Sequence, residues 1–260
     1  MGFSSQDTNL EGKYLFLSLQ YLISAAIAPL VGIAASYLGL GGGFLLVPYM
    51  VLVLGMDPHV VTATSLIMIF SLSTSSAVAY LRLGLVKVRV ALILEAFTIP
   101  MAVLGSILNW SVSSNTVEVF FGIFLLATGM WTLVGKVKEV EKVDLRVAAA
   151  FSTLAGLASG FLGVGGGVLK VPILMFSGLK PRNAVATSSF MIMLTSLSAL
   201  LTHAVVGEAD YLLAAVMIPG LILGAQLGPR LAKRSREIVV KRAFGAALCL
   251  VALRMILEAL

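Results

Sequence analysis

The sequence predicts an all-α fold: a polytopic membrane protein of about ten segments, built as two inverted five-segment repeats with Gly/Pro-interrupted half-helices. Three observations predict it. Of 260 residues, 59% are hydrophobic and 12% charged, and mean hydropathy is +1.05, whereas a soluble domain carries about 25% charged residues. Apolar runs recur along the chain, many near the roughly 20 residues a helix needs to cross a bilayer. One Gly-rich decapeptide is written twice, "GLGGGFLLVP" at 39–48 and "GVGGGVLKVP" at 163–172.

The apolar segments fall at 14–38, 44–54, 60–80, 90–110, 116–134, 147–162, 168–178, 184–206, 211–228 and 240–258. Residues 1–13 form a short polar tail, read as extracytoplasmic. A signal peptide needs a basic start and a short apolar core. This tail has only Lys13, and Tyr14–Leu38 is long enough to stay in the membrane. Segments two and seven are about 11 residues each, begin directly after a glycine cluster and carry Pro48 or Pro172. A proline removes one helix hydrogen bond, and 11 helical residues reach only about 16 Å. These are half-length helices or arms of re-entrant hairpins. The charged stretch "GKVKEVEKVDLR" (135–146) links the halves 14–134 and 147–260.

Basic residues set the orientation. If all ten segments alternate, 15 of the 18 Lys and Arg fall on one face, in the loops around 82–89, 136–146, 180–182 and 230–242. That face is cytoplasmic, and both termini lie outside the cell membrane. An odd number of segments per half turns the second repeat upside down. The repeat extends beyond glycine: "VVTATSLIMIFSLSTSS" (60–76) matches "AVATSSFMIMLTSLSAL" (184–200), and Pro100 and Gly105 match Pro219 and Gly224. Inverted repeats with short Gly/Pro-interrupted segments at matching places mark the binding sites of secondary transporters.

The net charge of +6 does not indicate a nucleic-acid partner, because the basic residues sit in loops that topology explains. The single Cys249 excludes an intrachain disulfide and a multi-cysteine metal site. There is no nucleophile–base constellation, metal-ligand spacing or nucleotide motif. No enzyme activity, metal or cofactor is therefore predicted.

Irregular backbone within a membrane is tolerated only inside protein or beside a watery cavity. Glycine admits positive φ and close approach to backbone amides, and a helix N-terminus attracts anions. Gly39, Gly41, Gly42 and Gly43, with Gly163, Gly165, Gly166 and Gly167, are thus candidate anion ligands. Close helix packing is the alternative use of such glycines. Lys170, three residues past Gly167 where the first copy has Leu46, strengthens the anion reading, since a lysine at membrane depth is expensive. Its alternative is a stem that snorkels to the headgroups.

Thr64, Ser65, Thr187, Ser188 and Ser189 offer hydroxyls to an oxyanion, or bond their own helix four residues back. Arg182, beside Asn183, reads as a solvated loop residue. Glu95 is a candidate proton-coupling group, or pairs near the interface with Arg89 or Arg82. His203 is either a second titrating group or an interfacial histidine.

The doubled motifs, "GLGGGFLLVP" with "TATS" and "GVGGGVLKVP" with "ATSS", resemble those of the TauE/SafE sulfite exporter family over about residues 14–258. The resemblance implies a multi-helix permease for sulfite, organosulfonates or related sulfur oxyanions, with the two motifs as the site. The expected partners are a small anionic substrate and the lipid bilayer; a homo-oligomer is compatible with the sequence. The alternatives are a carrier or channel for another small anion, and a non-transporting membrane assembly or scaffold protein.

Overall fold

The computed structural model describes residues 5–108, 145–162, 167–203 and 209–259, with 123, 126, 129, 130, 133 and 134. Among these every regular element is a helix. In chain order they are α1 (Ser5–Leu38), α2 (Gly43–Pro48) continued by a π turn (Tyr49–Val53), α3 (Pro58–Arg82), α4 (Val88–Leu108), α5 (Leu145–Leu162), α6 (Gly167–Phe176), α7 (Pro181–His203), α8 (Tyr211–Arg234) and α9 (Glu237–Ala259). Four are long and apolar enough to cross a membrane: Leu19–Leu38, Ala63–Arg82, Pro181–Leu200 and Tyr211–Arg234. Large apolar side chains such as Leu22, Leu30, Leu154, Leu223 and Leu250 face outward, as a surface bathed in lipid chains requires.

The expected half-length elements are present. α2 with its π turn runs from Gly43 to Val53, and α6 from Gly167 to Phe176. α1 begins at Ser5, ahead of the apolar stretch that starts at Tyr14, and α8 continues past 228 to Arg234. Most of the fifth apolar segment and the 135–144 part of the linker lie outside the described residues.

Small residues decide which helices meet. On α8, Gly220, Gly224 and Gly228 recur every fourth residue and so line one face. That face receives α1: a Cβ on Gly224 would fall 2.7 Å from Ile33 N, and one on Gly32 would fall 2.5 Å from Leu221 O. Only glycine permits this approach, the usual device where helices have no hydrophobic drive to associate in lipid. α4 and α5 meet the same way, with Gly156 against Thr98 O and Met101 Cβ. So the first helix of each half packs on the fourth helix of the other.

The partners are in register. Gly32 sits against Leu221 and Gly224, and Gly156 against Thr98 and Met101; 98 to 221 and 101 to 224 are both steps of 123. The contacts give steps of 123 and, from Gly32 to Gly156, 124, whereas Pro100 and Pro219, like Gly105 and Gly224, are 119 apart. Between the two halves, α3 crosses α7, where Ser73 Oγ lies 3.4 Å from Ser196 Oγ. Two apolar clusters fill the interior, one around Leu94, Val171, Leu174 and Met191, the other around Leu46, Met50, Leu72 and Met217.

Candidate functional site

α1 stops where glycine lets it. Gly39 takes φ +70°, and Leu40 N donates back to Ala35 O at 3.1 Å, a six-to-one closure that needs a left-handed residue just past the helix. Tyr80 on α3 donates to the Ser36 carbonyl at 2.9 Å, satisfying another orphan acceptor of the last turn. Gly41 and Gly42 continue at φ +76° and +84°, and Gly42 O accepts from Leu45 N and Leu46 N, which starts α2.

What faces this glycine turn is α7. A Cβ on Gly39 would meet Val185 O at 2.7 Å, and one on Gly41 would meet Ile192 Cγ2 at 2.6 Å. Ser188 Oγ donates to Gly39 O at 2.8 Å. The space that the missing side chains leave at Gly39 and Gly41 is therefore filled by the second half's own helix. Gly42 is looser, its nearest neighbour being Leu72 Cδ1 at 3.1 Å. In the second copy Gly163, Gly165 and Gly166 lie outside the described residues, and Gly167 is the first residue of α6.

Lys170 occupies the first turn of α6 and is only 2% exposed. It does not snorkel outward. Its Nζ lies 2.7 Å from Glu95 Oε1 on α4 and donates to Thr195 Oγ1 on α7. Thr195 Oγ1 in turn stands 2.9 Å from Glu95 Oε2 and 2.8 Å from Met191 O. A hydroxyl has one proton to donate, so Thr195 accepts from the ammonium and gives to one of these two oxygens. Leu94, Leu169 and Val171, next in the chain to Glu95 and Lys170, and Met191, one turn before Thr195, belong to one buried apolar cluster.

Glu95 thus pairs with Lys170 and not with Arg89 or Arg82, both of which are exposed. The helix α4 turns Glu95 inward, out of reach of the loop cations. Thr195 went unnoticed in sequence, although it lies two turns beyond Ser188 on the same helical face.

The paired Ala-Thr-Ser motifs make a reciprocal contact. Thr64 Oγ1 accepts from Asp210 N at 2.9 Å, and Thr187 Oγ1 accepts from Lys87 N at 3.0 Å. Residues 64 and 187 are 123 apart, as are 87 and 210. Each motif threonine holds the chain just before the fourth helix of the other half. Thr64 also bonds Val60 O at 2.7 Å, and Ser189 bonds Val185 O at 3.1 Å, so both back-bond within their helix. Ser65 is buried on α3.

Arg182 is not simply solvated: its Nη2 donates to Ser235 O at 2.7 Å. Asn183 Nδ2 donates to Leu85 O at 2.8 Å. His203 is the last residue of α7, far along that helix from Thr195. The structure therefore joins Lys170, Thr195 and Glu95 in one cluster, and joins Ser188 to the Gly39 turn.

Comparison with known proteins gives one consistent answer. The sequence model of one family, sulfite exporter TauE/SafE, matches residues 24–255. The chain is 26% identical to the probable membrane transporter protein YunE of Bacillus subtilis, over 92% of this chain and 98% of that one. It is 30% identical to a probable membrane transporter protein of Xylella fastidiosa, over 90% and 94% of the two chains. A probable membrane transporter protein of Haemophilus influenzae is 25% identical over 91% and 98%.

Proposed function

The chain belongs to the sulfite exporter TauE/SafE family of membrane transporters, and on that premise we propose that it carries sulfite, an organosulfonate or a related sulfur oxyanion outward across the cell membrane by alternating access. The observation that carries the reading is Lys170. Its ammonium is buried among apolar residues on the first turn of a half-length helix that follows the repeated glycine motif. A charge so placed is a functional group by default, and the helix end around it favours an anion. The second element of the site is the start of α2 at Gly42 and Gly43, where Gly42 has more room than Gly39 or Gly41, with Ser188 held against the same turn by its bond to Gly39 O.

Two five-segment units of opposite orientation are part of this proposal. The reciprocal Thr64–Asp210 and Thr187–Lys87 bonds support it, as does the exchange of first and fourth helices between halves. A two-fold axis in the membrane plane would run near the Ser73–Ser196 contact, and a carrier with such an axis reaches its two access states by swapping the conformations of its halves. The 135–146 loop is then cytoplasmic and both termini are outside, in keeping with the Lys and Arg distribution.

The test is flux into proteoliposomes of purified protein, with sulfite, a small alkyl sulfonate, sulfate and thiosulfate compared. Saturable flux of a sulfur oxyanion is expected, and Lys170→Met should weaken its binding by about 10- to 150-fold, the 1.5–3 kcal/mol of a charged hydrogen bond. Lys170→Arg should fall between, since a planar guanidinium is larger. Flux that does not saturate indicates a channel, and absence of any anion flux overturns the reading.

A further inference from the structure

We infer that Glu95, Lys170 and Thr195 form an ion-exchange element that couples each transported anion to one proton. The inference rests on the anion reading of Lys170 given above. In the structure the ammonium is already neutralised by Glu95. The ammonium has a third donor, but an anion added beside an intact Lys170–Glu95 pair would leave the buried site with a net charge of −1, so the anion takes that carboxylate's place on Lys170. A carboxylate left alone in apolar surroundings is too costly to persist as an ion, so it takes up a proton from the same side. The charges balance: the Lys170–Glu95 pair plus a monoanion plus H⁺ becomes a Lys170–anion pair plus a neutral Glu95. The site carries no net charge before or after. On the far side the anion leaves, Glu95 releases its proton there and recovers Lys170. Anion and proton move together.

The other half of the molecule says that the fold does not require this polar cluster. Steps of 123 or 124 carry Lys170, Thr195 and Glu95 to Leu46, Leu72 and Ile218, in the register set by the helix contacts and the Thr–backbone bonds. Leu46 and Leu72 belong to the second apolar cluster, and the half-buried Ile218 packs against it. Both Leu46 and Leu72 touch the position a Cβ would take on Gly42, at 3.5 and 3.1 Å. The same architectural place is thus filled once by apolar side chains and once by a buried ion pair. Since a buried pair is seldom more stable than well-packed apolar residues of similar size, its presence in one half alone points to use rather than support.

The other ionisable groups nearby stand apart. On α4 itself Arg89 is exposed. Lys170 is the only ionisable side chain of α6. On α7, Arg182 is engaged with Ser235 O and His203 is the terminal residue. On α5, Arg146 is the second residue, at the helix start.

The probe is methanesulfonate, a permanent monoanion that brings no proton of its own. Proteoliposomes carrying a luminal pH dye should show one proton moved per sulfonate, with flux indifferent to an imposed potassium diffusion potential. In equilibrium titrations of the purified protein, the sulfonate Kd should rise about tenfold per pH unit across the coupling range, the slope for one proton taken up. Glu95→Gln should still bind sulfonate, with a Kd flat in pH, and its flux should become proton-free and potential-dependent. The triple variant Glu95→Ile/Lys170→Leu/Thr195→Leu, which copies the other half, should fold and carry nothing. Proton-free sulfonate flux in the wild type, wild-type coupling in Glu95→Gln, or flux through the folded triple variant overturns the coupling while leaving transport standing. Absence of every anion flux from the wild type overturns the transport reading and the coupling with it.

Discussion

Replacing Lys170 by methionine keeps the stem and removes the charge. Glu95 Oε1 then faces a thioether where an ammonium had stood 2.7 Å away. At that distance two unit charges attract by about 6 kcal/mol at the effective dielectric of protein sites. Much of this is offset by the desolvation of both ions, whose side chains are 2% and 3% exposed. What the single substitution exposes is the uncompensated partner, a loss of about 3–5 kcal/mol. Glu95→Gln orphans the ammonium instead and should cost a similar amount, less what Thr195 still accepts. Combining the two removes both charges, so the double variant should lose far less than the sum, with a coupling energy of about 2–3 kcal/mol. The assay is unfolding of the purified protein in mixed micelles titrated with sodium dodecyl sulfate, followed by helical circular dichroism. If the two single losses add in the double variant to within about 0.5 kcal/mol, Lys170 and Glu95 are not an energetic pair and the reasoning fails.

Gly224→Ala should destabilise the same unfolding transition by about 1–3 kcal/mol, because its Cβ would be driven against Ile33 N and the Gly32 carbonyl carbon, at 2.7 and 2.9 Å, which are backbone and cannot swing aside. Gly84→Ala meets nothing within 4 Å and should lose only the roughly 1–2 kcal/mol of a left-handed residue with a side chain. Thr64→Val and Thr187→Val should each cost about 1 kcal/mol and match each other closely, since each strips one acceptor from an equivalent backbone N–H; a large difference in the same titration argues against equivalent halves. A cysteine introduced at Lys138, with Cys249 replaced by serine, should be shielded in intact cells from an impermeant thiol reagent that reacts at position 6; equal labelling overturns the orientation.

Much of the fold was legible because it is written in local chemistry. The half-length elements follow from a glycine run on one side and a proline within. The left-handed turn at Gly39–Gly42 follows from residue type. The inward setting of Lys170 follows from an apolar run that tolerates one charge. What local chemistry does not carry is partnership across the halves. Glu95 and Lys170 stand on different helices, 75 residues apart in the chain, and nothing along the chain pairs them in preference to Glu95 with Arg89. The same holds for Gly39 and Gly41, whose open faces suggested a ligand and are occupied by Val185 and Ile192. The prolines give α4 and α8 a different offset from the helix contacts, since a proline is placed by backbone need and not by which neighbour it touches. The glycines at 220, 224 and 228 were a readable signal of the α1–α8 seam, four residues apart on one face.

The exchange of helices between halves has a consequence for how the protein is made. Ser36 on α1, whose hydroxyl reaches the Gly224 carbonyl on α8 at 3.5 Å, stands 188 residues before it in the chain. At about 5–20 residues per second, α1 waits roughly 10–40 s after emerging before the strip of glycines that receives it has been synthesised. Until then its own small residues, Gly32 among them, face lipid or a helper that shields them. α4 waits in turn for α5. The first half therefore cannot mature as a unit and dock later with the second; assembly closes only when both are present, and a ribosome that stalls after the 135–146 linker would leave an inserted but unpartnered half for membrane proteases to clear.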